Sequence, residues 1–205
     1  MKIIKLFLCI SFLLCIGCNS KTKTKKESAV SINTIEIEAN IVHKDSLVLN
    51  GNKGIWYYNK KPFNGYAVKY HNNNTLKEKT GFYNGKKEGV YRVWYETGVL
   101  KLQSFYNQNV LQGSYKAYWN NGNLASESNY VNGKKQGVER KWFYSGKLSK
   151  KRNLLNDKED GLQQAWLENG KLYVNYEAKN GRIFGMRRAN SCYQLKDEVV
   201  IRKKK

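Results

Sequence analysis

The chain has 205 residues, with 37 Lys and Arg against 16 Asp and Glu, for a formal charge of +21. Its 13% aromatic content excludes a chain disordered throughout, and 17 Gly beside one proline, Pro62, exclude collagen-like and Pro-rich classes. Only His43 and His71 are histidines, so a His-based catalytic or metal centre has almost no raw material.

Lys2 and Lys5 precede an apolar run from Leu6 to Ile16 that only Ser11 interrupts. A membrane span needs about 20 apolar residues, so this run has the proportions of a secretory signal core. It ends Leu14-Cys15-Ile16-Gly17-Cys18, which resembles a bacterial lipoprotein signal, with Cys15 standing where that pattern usually has leucine. The resemblance implies that residues 1–17 are a signal peptide and that Cys18 becomes lipidated and tethers the chain to a membrane of the bacterial envelope. The outer membrane or a periplasm-facing surface fits better than the cytoplasm. Cys9 and Cys15 would leave with the leader, and Cys192 would then have no partner for an internal disulfide.

Residues 18–40 begin with a polar, lysine-rich stretch that can bury nothing and is expected to be a flexible basic tether. Alternation of Ile35 and Ile37 with Glu36 and Glu38 predicts an edge strand within residues 29–42. Residues 41–64 are expected to form a divergent N-terminal hairpin, with Pro62 at an edge or turn.

A fixed period dominates the remainder. Gly65, Gly89, Gly113, Gly137, Gly161 and Gly185 are spaced by 24 residues without insertion. Counting each glycine as position zero, position 11 is Leu76, Leu100, Leu124, Leu148 and Leu172. Position 5 is aromatic throughout: Tyr70, Trp94, Tyr118, Trp142 and Trp166. Position 6 is mostly aromatic, with Tyr95, Trp119 and Phe143, then His71 and Leu167.

Asn84-Gly85, Asn121-Gly122, Asn132-Gly133, Asn169-Gly170 and Asn180-Gly181 supply the positive φ of type I′ turns, and the runs between them favour strands. Two-residue turns require antiparallel neighbours. The expected fold is therefore all-β, an antiparallel β-meander of tandem 24-residue hairpin repeats forming an elongated twisted sheet, with five repeats over residues 65–185. With positions 8 and 9 in the turn, position 6 should face position 11, and position 5 should point to the other side of the sheet.

Units such as Gly113-Ser-Tyr-Lys-Ala-Tyr-Trp-Asn-Asn-Gly-Asn-Leu, followed by Asn129-Tyr-Val-Asn-Gly-Lys-Lys-Gln-Gly137, resemble the MORN-variant repeat of YwqK-like bacterial proteins. The resemblance implies a scaffold that binds varied partners, and some of its members are labelled antitoxin components. Residues 186–205 lose the pattern and are expected to be a C-terminal cap with a basic tail, as terminal repeats must differ from internal ones.

No nucleophile with a base is apparent, and no metal-ligand spacing. His71 occupies an aromatic column and is expected to pack. Asp157, Glu159 and Asp160 sit at one turn and are expected to be solvated, and the repeat glycines are taken as turn glycines rather than a phosphate cradle. The expectation is a non-enzymatic protein with no cofactor and no metal. Basic residues interleaved with aromatics also suit nucleic acid, but an exported chain disfavours it. The partners expected are the membrane, through the lipid, and a protein or an anionic glycan or lipid, with the position-5 aromatics as a candidate binding strip. The second reading is an antitoxin or immunity-type protein that occludes a toxin.

Overall fold

The computed structural model describes residues 35–184. The expected signal peptide, Cys18 and residues 19–34 of the expected tether, together with Gly185, Cys192 and the expected C-terminal cap, lie outside the described residues.

The N-terminal part contains β1 (Ile41–His43), a 3-10 turn at Lys44–Ser46, β2 (Val48–Asn50), β3 (Ile55–Tyr58) and β4 (Lys61–Pro62). The repeats then supply β5 (Gly65–Tyr70), β6 (Leu76–Tyr83), β7 (Lys86–Trp94), β8 (Leu100–Asn107), β9 (Val110–Leu111) and β10 (Gly113–Tyr118). They continue with β11 (Leu124–Val131), β12 (Lys134–Lys135), β13 (Gly137–Trp142), β14 (Leu148–Leu155), β15 (Lys158–Trp166), β16 (Leu172–Lys179) and β17 (Arg182–Phe184). Fourteen strands make one open sheet in the order β1-β5-β6-β7-β8-β10-β11-β13-β14-β15-β16-β17, with β9 on β8 and β12 on β11. The meander is antiparallel from β5 onward, as the repeat predicts. One strand departs from it: β1 runs parallel to β5, pairing Ile41 with Tyr66 and His43 with Val68.

Residues 41–64 are not a single hairpin. β1 joins the large sheet, while β2, β3 and β4 form a separate three-stranded sheet. The expected edge strand lies at Ile41–His43, and residues 35–40 form no strand. The small sheet acts as the unit that precedes the first repeat. The Phe63 carbonyl accepts the Gly85 amide at 2.8 Å, as the Lys87 carbonyl accepts the Asn109 amide at 2.9 Å one unit later. Its apolar side chains complete the main core, where Leu47, Phe63, Ala67 and Phe82 are buried with Val42, Trp56 and Tyr58 against them. Phe63 and Phe82 lie 5.8 Å apart between ring centroids, and Trp56 meets Phe82 edge-on at 6.0 Å. This end of a single-layer array thus gains the cover that a lone sheet cannot give itself.

Each unit contains two turns of different chemistry. At one end, Asn84-Gly85, Asn132-Gly133 and Asn180-Gly181 have positive φ at both residues, the type I′ turn expected. Gln108-Asn109 and Asn156-Asp157 adopt the same turn with no glycine. Hydrogen bonds to the preceding unit hold them there. Glu88 accepts the Gln108 amide at 2.9 Å, and the Asn109 and Asp157 side chains accept the Lys87 and Lys135 amides at 2.8 Å.

At the other end, Asn121-Gly122 and Asn169-Gly170 are not type I′, because only the glycine has positive φ. Gly122 donates to the Trp119 carbonyl at 2.9 Å and Trp119 donates to the Asn123 carbonyl at 2.8 Å, the pattern of a three-residue loop closed by a glycine bulge. The asparagine caps its own turn: Asn121 Oδ1 accepts the Asn123 amide at 3.0 Å, and its Nδ2 donates to the Tyr144 carbonyl of the next unit at 3.0 Å.

This longer loop moves the register by one residue. Position 11 faces position 5, not position 6, with Tyr70 opposite Leu76, Trp94 opposite Leu100 and Trp142 opposite Leu148. The constant leucine therefore packs beside the constant aromatic. The spaced glycines among the described residues are also not turn glycines. Gly89 and Gly161 lie in bulges where β6–β7 and β14–β15 lose register, with φ of 70° and 99°. Gly65 has a different reason to be glycine, since a Cβ there would lie 2.3 Å from the Asn40 carbonyl oxygen.

Candidate interaction surface

Strand alternation sends neighbouring residues to opposite faces of the sheet. On one face a cross-strand row runs Ala67, Thr80, Tyr91, Ser104 in register, and Tyr115 pairs with Ser128 further along. From Thr80 onward small and large residues alternate, so Tyr91 can fold over the small neighbour on each side. Thr80, Ser104 and Ser128 are buried as a result. Tyr91 packs against Tyr106 and Tyr115 against Tyr130, each with centroids 5.9 Å apart. In the fourth repeat the same positions hold Glu139 and Arg152, which are ion-paired, with Lys135 donating to Glu139 at 2.5 Å. Gln163 continues this row, buried, with Nε2 donating to the Asn153 carbonyl at 2.8 Å and Oε1 unpartnered.

The opposite face carries a row of long polar side chains. Lys79 pairs with Arg92, Arg92 with Gln103, Gln103 with Lys116, Lys116 with Glu127, Glu127 with Arg140, and Arg140 with Lys151. Gln164 and Asn175 extend it to β16. At about 4.8 Å per strand, this row is roughly 38 Å long. It contains five cations and one carboxylate, Glu127, which Arg140 engages at 2.7 Å. Lys79 lies over the Tyr66 ring at 4.2 Å and Arg92 donates to Gln103 at 2.8 Å. Among the described residues, Lys116 and Lys151 enter no ion pair. The row begins at an open hollow of about 580 Å³ between Ile35, Ile37, Tyr66, Lys79 and Arg92. Gly81 leaves the space that the Ile37 side chain takes, whereas the same position in later units is Phe105, Asn129, Asn153 and Glu177.

The position-5 aromatics form one row, as the period requires, but not a uniformly open one. Tyr70 is 50% exposed and its ring is nearly parallel to His43 at 6.4 Å, while Trp94, Tyr118, Trp142 and Trp166 are half-buried. The carbonyls of Trp94, Tyr118 and Trp142 receive side chains from position 6 of the preceding unit. His71 Nε2 is 2.9 Å from the Trp94 carbonyl, which requires that nitrogen to carry the proton. Tyr95 donates to the Tyr118 carbonyl at 2.9 Å and Trp119 to the Trp142 carbonyl at 3.2 Å. His71 thus packs in its column, and also ties two units together.

Another column escaped the reading of the repeat: Asn64, Glu88, Gln112 and Asp160, each one residue before a spaced glycine, accept the amide of a turn residue twenty positions later, and Gln136 is the acceptor type at the same place before Gly137. Its signal was present as an unbroken run of side-chain acceptors, masked by their differing charge. The turn carboxylates are engaged in the same manner, with Asp157 on the Lys135 amide and Glu159 accepting from Tyr176 at 2.7 Å. Among the described residues no three His, Cys, Asp or Glu side chains gather to hold a metal ion.

Fold and surface define an open β-hairpin repeat array with one tyrosine-lined face and one cationic face. A family model described as MORN repeat variant matches residues 87–108 and 111–132, which are the β7–β8 hairpin and the segment from β9 through β11. No curated protein matches the chain.

Proposed function

We propose that this protein is a non-enzymatic binding and scaffolding module, held at the bacterial envelope by a lipid on Cys18, that engages an anionic partner through its cationic sheet face. The observation that carries this reading is the cross-strand row from Lys79 to Lys151, in which Lys116 and Lys151 enter no ion pair among the described residues. A row with a large excess of one sign on a rigid support raises the local concentration of an opposite charge and orients it. MORN-type repeats are commonly binding scaffolds, which supports the same class. The occupant is an acidic protein segment or an anionic envelope component.

Binding of the full chain to an immobilised polyanion such as dextran sulfate, with and without Lys116→Gln and Lys151→Gln, tests the face. Retention should be lost between about 50 and about 300 mM salt, and the double variant should elute earlier. Equal retention of the two proteins would remove the row from the interface. Fatty-acid labelling and fractionation of the native chain and Cys18→Ala test the anchor. Label and membrane association that both vanish support it, whereas an unlabelled cytoplasmic chain would move the antitoxin reading ahead.

A further inference from the structure

The long edge formed by the longer turns changes character along the array. Position 7 at these turns is Asn72, Glu96, Asn120, Tyr144 and Glu168, so the fourth repeat alone puts an aromatic there, beside Trp119, the position-6 aromatic of the third. Tyr144 is 54% exposed and Trp119 is 36% exposed, and their rings meet at 6.1 Å with a 56° tilt. They border an open depression of about 550 Å³ whose lining also includes Trp142, Lys141, Ser126 and Glu168. The Trp119 indole is fixed by its hydrogen bond to the Trp142 carbonyl, so it presents a preset apolar face.

The rim carries one cation and one carboxylate. Neither the Lys141 ammonium nor the Glu168 carboxylate enters an ion pair among the described residues. Opposite charges across one aromatic floor suit a neutral ligand that both donates and accepts hydrogen bonds. The turn backbones here are already occupied, with Trp119 bonded to Asn123 and Phe143 to Lys147, so a peptide strand finds no free ladder to join. We infer that the Trp119–Tyr144 depression binds a neutral saccharide, one pyranose ring stacking its C–H face on the aromatics while its hydroxyls donate to Glu168 and accept from Lys141. Aromatic rings provide such contact area with little loss of side-chain freedom.

The full chain is titrated with cellotetraose and with chitotetraose while tryptophan fluorescence is followed, and hexaglutamate serves as the anionic probe. Saturable binding of at least one tetrasaccharide is expected, little changed by salt. Trp119→Ala and Tyr144→Ala should each weaken it about tenfold, the usual effect of truncating an aromatic anchor. Lys116→Gln with Lys151→Gln should leave it unchanged, which separates this site from the cationic face. Tyr144 is exposed enough that its replacement leaves the fold intact, and Glu168→Gln supplies a second, isosteric variant expected to weaken binding. The inference is overturned by no saturable response to either sugar at millimolar concentration, by parental affinity in the Tyr144 and Glu168 variants, or by competition from hexaglutamate.

Discussion

The second and fourth repeats place the same backbone positions in the same register, yet they fill the tyrosine-lined face by opposite means. In the second, Tyr91 and Tyr106 pack ring against ring beside Ser104, with Lys87 within 5.0 Å of the Tyr106 centroid. In the fourth, Glu139 is 3% exposed and is held by Arg152 and Lys135. The difference separates what the repeat requires from what it permits. Turns, bulge glycines and the aromatic–leucine pair recur, whereas the row beneath them accepts either aromatic packing or a closed ion network.

Breaking the ionic version should have the largest effect. Glu139→Ala leaves Arg152 and Lys135 without their carboxylate and is expected to cost about 3 kcal/mol, measured by urea unfolding. Burial alone would raise the Glu139 carboxyl, but hydrogen bonds from Lys135 and Arg152 and their charges outweigh it and hold the group below its ordinary value of 4.5. Because the folded state binds this proton more weakly than the unfolded chain, the stabilisation is present above pH 4.5 and is lost as acidification passes through the folded value. Glu139→Gln should flatten that acid limb.

The aromatic version should fail at the other end of the scale. Burial, then the nearby Glu78 charge, pushes the Tyr91 hydroxyl up to about 12, from an ordinary value of 10. The folded state holds this proton more tightly, so stability should persist to about pH 10 and decline toward pH 12. Phenolate absorbance followed beside alkaline unfolding checks this, and Tyr91→Phe should reduce the decline.

The smallest expected effect is the most informative. Glu139→Tyr, Arg152→Ser and Leu154→Tyr together copy the side chains of the third repeat into the fourth. If the two solutions are interchangeable, the triple variant should lie within about 1 kcal/mol of the parent, although Glu139→Ala alone does not. A loss as large as that of the single variant would mean that the network also serves its neighbours, through Arg152 and Glu159 at 3.8 Å.

Much of this architecture was legible in the period. The 24-residue glycine spacing and the Asn-Gly dipeptides located the hairpins, because positive φ is nearly confined to Gly and Asn. The same dipeptide was misleading at Asn121-Gly122, where the asparagine side chain satisfies the turn from outside the left-handed region. Gln108-Asn109 lacked the signal and made the turn all the same, because its restraint comes from Glu88, in the preceding unit. The cationic row was hidden for a related reason. Its members are 11 to 13 residues apart in sequence and become neighbours only through a register that the extra loop residue sets.

The sequence by itself determined the unit: its length, the places of its two turns and its strands. All of these depend on local backbone preference and short-range pairing. The tertiary structure alone decided which long side chains line one face, how Ile37 seats against Gly81, and how Trp119 meets Tyr144 from the next repeat. Those relations join separate units, and local preferences do not encode which units meet.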